Sequence, residues 1–112
     1  MKCGGYWLVL IGLTLALTAC GEERPAEVPL PVLVSQQAEY QNALVATQGV
    51  VRSFDNPRHY WIEDEDLNRV EILPQEQIAP YLGQEVRVVG RFGLDNGRKL
   101  TLERLETVDD SP

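Results

Sequence analysis

The chain has 112 residues, with 10 basic and 17 acidic side chains and a formal net charge of -7. That length holds one domain at most. The acidic balance disfavours nucleic acid as a partner, because affinity for a phosphate backbone comes from neutralising it, and it disfavours lying on anionic lipid headgroups.

Residues 6–19 (YWLVLIGLTLALTA) carry no charge and follow Lys2. A run of this length suits an export segment and falls short of the ~20 residues that span a bilayer as a helix. It ends in Leu17-Thr18-Ala19-Cys20, which resembles the bacterial lipobox: Leu, a small or β-branched residue, a small residue, then Cys. The resemblance implies cleavage before Cys20, a diacylglyceryl group on its thiol, and a membrane hold in which each buried CH₂ contributes ~0.8 kcal/mol. The alternative is a plain signal peptide or an uncleaved anchor with a chance cysteine. Cys3 would leave with residues 1–19 and Cys20 would be acylated, so no thiol would remain for a disulfide or a metal site. Losing residues 1–19 removes only Lys2 among the charged side chains. That keeps 9 basic and 17 acidic groups, a charge of -8. Gly21 departs from the Asp that, in enteric bacteria, resembles a retention signal for the inner membrane. The expectation is therefore the outer membrane, facing the periplasm.

Residues 20–42 read as the lipidated Cys and a Pro-rich tether. Pro25, Pro29 and Pro31 fall in 21–34 (GEERPAEVPLPVLV), and at ~3.1 Å per residue a polyproline II segment of this length would reach ~40 Å. Residues 35–42 (SQQAEYQN) read either as tether or as a short helical turn. A folded domain is expected over 43–108, with an acidic tail at 109–112.

Within the domain the pattern is strand-like. ALVATQGVVRSF is β-rich, with Gly49 marking a bulge or bend. DNPR is turn chemistry. HYWIED alternates, placing Tyr60, Ile62 and Asp64 on one face and His59, Trp61 and Glu63 on the other. EDLN is a second turn, and RVEIL points Val70 and Ile72 inward. PQEQIAPYLGQ has prolines at 74 and 80, which limit it to a short helix or 3₁₀ turns; Ile78, Tyr81 and Leu82 are expected to plug one end of the domain. VRVVGRF sets Val86, Val88 and Phe92 against Arg87, Val89 and Arg91. Asn96-Gly97 is a hairpin signal, and RKLTLERLE closes the set with Leu100 and Leu102 inward.

The order β-β-β-α-β-β describes an all-β domain with one short helix. The segments Gly49-Val50-Val51, Tyr60-Trp61-Ile62-Glu63-Asp64 and Tyr81-Leu82-Gly83-Gln84-Glu85-Val86-Arg87-Val88-Val89-Gly90 resemble those of an OB-fold domain. The whole chain resembles a small bacterial OB-fold lipoprotein. That likeness implies a five-stranded Greek-key barrel whose ligands meet strands two and three and the flanking loops.

On that surface the candidate binding residues are Arg52, Arg58, His59, Trp61, Arg69, Glu71 and Arg98, with Lys99 beside them. Trp61 either stacks a flat ring between arginines or packs under the N-terminal segment, and a one-residue slip of register would bury it. Asp64-x-Asp66-x-Asn68 matches the start of a calcium loop, but Arg69 stands where Gly is needed and Gln75 where a bidentate Glu is needed. His59 is the only histidine, which leaves no zinc pair and no catalytic triad legible from spacing. Neither a metal nor another cofactor is expected, and no enzyme. The sequence points instead to a non-enzymatic module that binds another envelope protein. The alternative is recognition of a small molecule, glycan or oligonucleotide.

Overall fold

The computed structural model describes residues 23–108. The expected signal peptide, Cys20 and the 109–112 tail lie outside the described residues. Six strands form one sheet: β1 (Ala26–Glu27), β2 (Leu44–Phe54), β3 (His59–Glu63), β4 (Arg69–Leu73), β5 (Glu85–Gly93) and β6 (Lys99–Thr107). The five strands expected from the sequence are β2 to β6, and the domain is all-β as expected. The sheet runs β1-β2-β3-β4-β6-β5, and β5 returns to pair with β2. All pairings are antiparallel except β1 with β2 and β4 with β6.

The long strand β2 makes this closure possible. Its residues Leu44 to Val50 pair with β5, and Val50 to Phe54 pair with β3. Gly49 sits at the changeover. A Cβ there would lie 2.9 Å from the Glu63 carbonyl oxygen and 3.0 Å from Leu30 Cδ1, so the bend expected at Gly49 is a place of close backbone approach.

The alternation holds on β3 and β4. Tyr60, Ile62, Val70 and Ile72 are buried, while His59, Trp61 and Glu63 are half-buried on the other face. Val86, Val88 and Phe92 of β5 and Leu100 of β6 join the same core. Val89 faces outward and is nonetheless buried, in a small cluster with Leu44 and Ala46. On β6 the phase changes. Gly90 pairs with Leu102 and Val89 with Arg104, so Glu103 is an extra residue, and Leu105 rather than Arg104 packs inward beside Leu102. A Cβ on Gly90 would run into the Thr101 carbonyl and the Leu100 side chain. The β5–β6 connection spans five residues, with left-handed Asn96 (φ 61°) and Gly97 (φ 100°) as its Asn-Gly pair promised.

The segment expected as tether is largely structural. β1 pairs with Val45 and Ala46, α1 (Leu30–Ser35) follows, and a 3₁₀ turn spans Gln37–Tyr40. Val28, Leu30 and Leu33 are buried in the main core. The prolines misled because Pro29 is the N-cap of α1 and Pro31 stands in its first turn, where a missing N–H costs nothing. The expected short helix is α2 (Gln75–Ile78), continued by a 3₁₀ turn at Ala79–Tyr81. Ile78 plugs the core and Tyr81 packs against it, but Leu82 is exposed. The two helices lie at different ends. Gln37, just after α1, bonds Arg98 of the β5–β6 loop, whereas Gln75 of α2 donates to the Arg58 carbonyl in the β2–β3 turn.

Two substitutions test this core. Leu33→Ala is expected to cost ~2–5 kcal/mol, read as a lower urea midpoint with an unchanged slope; an unchanged midpoint would return residues 28–42 to a tether. Thr47 is buried, and its Oγ1 has no hydrogen-bond partner among the described residues. Thr47→Val, which removes that orphan hydroxyl, is expected to leave the midpoint unchanged or raise it.

Candidate functional site

The outer face of β3 and β4 is built by register. Arg52, Trp61, Glu71 and Lys99 are successive cross-strand neighbours on β2, β3, β4 and β6. One position further along, Phe54 pairs with His59, and on the other side Val50, Glu63 and Arg69 are in line. Because side chains alternate, these residues point away from the buried Tyr60 and Ile62.

Glu63 is the centre of this surface. Its Oε1 accepts the Trp61 indole N–H at 2.9 Å and an Arg69 N–H at 2.9 Å, and its Oε2 lies 3.5 Å from Arg52 Nε. The side chain is only 14% exposed, against 51% for Arg52 and 44% for Arg69. The Trp61 indole holds the Glu63 carboxyl below the usual carboxylate range. Burial opposes this, and the Arg69 and Arg52 guanidiniums add to it. Arg69 also lies over the Trp61 ring, 4.8 Å from its centroid, a cation–π contact. His59 leans on Trp61 at 5.2 Å and 36°, and Phe54 meets His59 edge-on at 6.4 Å. Phe54, His59, Trp61 and Arg69 therefore form one continuous row, with Phe54 65% exposed at its end.

Beside this row an open cleft of about 270 Å³ is lined by His59, Trp61, Arg69, Glu71, Gly97 and Arg98. Arg98 donates to the Arg69 carbonyl at 3.0 Å and to Gln37 Oε1 at 3.3 Å, so its charge meets no carboxylate among the described residues. Glu71 is taken up by Lys99 at 3.2 Å.

Of the seven candidate residues, five line this cleft and Arg52 joins them through Glu63. Arg58 does not. It pairs with Asp55 and reaches the Tyr60 hydroxyl at 3.5 Å, and it lines a separate groove with Phe54 and Leu82. Trp61 packs under Arg69 and beside His59. Sequence reasoning missed Phe54. Its signal was its place at the end of the β-rich run, two residues after Arg52.

The calcium-like acids have a different occupation. Asp64 Oδ1 accepts the backbone N–H groups of Asp66 and Asn68, both at 2.9 Å, and the Asn68 amide also donates to this carboxylate. Burial pushes the Asp64 carboxyl up, but these bonds outweigh it and hold the group low. The carboxylate shapes the turn, which carries Leu67 at φ 65°. Among the described residues no three His, Cys, Asp or Glu side chains are grouped to hold a metal ion.

Glu63 gives this face a pH signature. Its folded-state pKa lies below the unfolded value, so its stabilisation is complete above that value, ~4.3, and drains away as pH falls through the folded pKa. Glu63→Gln is expected to cost ~1–2 kcal/mol at pH 7. The acid limb of stability against pH, measured by urea titration from pH 7 to 3, should then be flatter than in the parent. An equally steep limb would remove Glu63 from its central place.

No protein-family model matches the chain, nor does any curated protein, so a functional reading starts from this face and from the sequence.

Proposed function

We propose that the chain is an envelope lipoprotein, anchored by acyl chains on Cys20 and facing the periplasm from the outer membrane. In this reading its domain is an OB-fold barrel that works without catalysis, docking another envelope protein on the β3–β4 face. The barrel is supported by the ring of pairings β2–β3–β4–β6–β5–β2, by the parallel β4–β6 pair and by α2 placed between β4 and β5. The anchor rests on Leu17-Thr18-Ala19-Cys20 and the uncharged run before it. The outer membrane rests on Gly21.

The observation that carries a protein partner is the row Phe54, His59, Trp61 and Arg69. Aromatic and arginine side chains are enriched where protein surfaces meet. A guanidinium already covers the Trp61 ring and a carboxylate already takes its N–H, so a flat ligand would have to displace Arg69 before stacking. A protein surface can instead cover the row as it stands, with Phe54 as its most exposed member.

The second reading is a small molecule or glycan held in the cleft of His59, Trp61, Arg69, Glu71, Gly97 and Arg98. Oligonucleotides fit poorly with the acidic charge. OB-folds host many functions, so the fold itself does not choose between these readings.

A photo-crosslinking amino acid in place of Phe54, in the living cell, tests the leading reading without disturbing Glu63. One discrete protein adduct is expected. Its absence, with the protein folded and a small molecule binding tightly in the cleft, would replace the protein partner with a ligand.

A further inference from the structure

The two glutamates at the start of the described segment lie against β5. Arg91 donates to both carboxylate oxygens of Glu23, at 2.9 and 3.2 Å, and to the Asn42 carbonyl at 3.2 Å. Four residues on, Glu27 pairs with Arg87, which also faces Glu106 at 3.7 Å. Between and after these pairs the backbone is held as β1 against β2. The Val28 N–H donates to the Ala46 carbonyl at 2.9 Å, and the Val28 side chain is buried. Residues 26–28 are thus held by a strand pairing and a buried side chain, and two solvent-exposed ion pairs lay Glu23 and Glu27 along β5.

The direction of this segment is also fixed. Glu23 meets Arg91, near the end of β5, and Glu27 meets Arg87, near its start. The chain therefore enters the domain beside Arg91, Asn42 and the β5–β6 loop. β5 is nine residues long and spans about 26 Å at ~3.3 Å per residue. At its far end lie exposed Leu82 and Phe54, which flank a common groove with Arg58.

On the reading that Cys20 is acylated, we infer that the domain has almost no reach and stands in one orientation on the membrane. The end bearing Arg91, Asn42 and Asp95 is down, and the end bearing Phe54 and Leu82 is up. Only Gly21 and Glu22 separate Cys20 from Glu23, which allows ~10 Å of extended chain, a quarter of the ~40 Å that a free polyproline tether would give. The lipid surface is the neighbour of the β5–β6 loop end. A partner then meets the domain at the height set by the length of β5, at the Phe54 end, and not at the end of a long leash.

The test uses the full acylated chain in phosphatidylethanolamine/phosphatidylglycerol vesicles carrying a nitroxide headgroup quencher. With Cys20 acylated and Cys3 removed, a fluorophore can be placed on one new thiol, in Asp95→Cys or Leu82→Cys, both at exposed positions. Severalfold stronger quenching is expected at 95 than at 82. A twelve-residue Gly/Ser insertion between Gly21 and Glu22 should bring the two positions towards equality. Equal quenching in the uninserted protein, with acylation verified by mass spectrometry, would overturn the fixed orientation and leave the lipoprotein reading standing. An intact, unmodified Cys20 thiol in that spectrum would instead remove the lipoprotein reading, and with it the membrane as the neighbour of this end.

Discussion

The rest of the structure depends on one strand serving two longer neighbours, β5 and β3, besides the short β1 beside Val45 and Ala46. β2 pairs with β5 along its first half and with β3 along its second, and Val50 pairs across to both Glu85 and Glu63. Such sharing asks the strand to leave one neighbour as it takes up the other. Gly49 permits this, because the Glu63 backbone and the Leu30 side chain come within about 3 Å of where its Cβ would stand. A larger residue there would push apart β2, β3 and the N-terminal helix together. On the neighbouring strand β5, Gly90 plays a similar part, under the Thr101 carbonyl and the Leu100 side chain. With both close approaches in place, the inward residues of five strands converge on one core.

That core is small, and the N-terminal segment supplies a real share of it. Val28, Leu30 and Leu33 are three of its fourteen buried members. A domain of this size buries only about 60% of the surface its unfolded chain exposes, so three large side chains are not an ornament. α1 at one end and α2 at the other cover what the strands leave open. α1 is six residues long and would be unstable alone; its leucines hold it in place. The stability of the domain and the position of its entry point are therefore coupled. The residues that complete the core are continuous with those that pair with Arg87 and Arg91.

Much of this was legible in the sequence, because alternation is a local property. HYWIED and RVEIL declared their faces, and Tyr60, Ile62, Val70 and Ile72 are buried as that pattern requires. Asn96-Gly97 declared its turn. The N-terminal segment was less legible, since its three prolines suit an extended chain as well as a helix start, and only Leu30 and Leu33, three apart, hinted at a buried stripe. The β6 bulge was hidden for a different reason. Leu100, Leu102 and Leu105 break the two-residue rhythm, but one strand read alone does not say whether the break is a bulge or a strand end. Of the candidate face, the register of Trp61 was readable. Its Arg69 cover was not, and the separation of Arg58 from the cleft was not, because both depend on which way long side chains turn.

Glu63 ties the fold to the surface. Its backbone abuts Gly49, while its carboxylate gathers Trp61, Arg69 and Arg52. Substitutions on this face are therefore unequal as probes of binding. Removing Trp61 or Arg69 leaves a largely buried carboxylate short of a donor, which costs stability whether or not anything binds there. Removing Phe54 or Arg98 does not, since Phe54 is the exposed end of the row and Arg98 bonds only neutral acceptors among the described residues. A loss of binding at Trp61 alone would thus be uninformative. The same loss at Phe54, in a protein of unchanged stability, would locate the contact on this face.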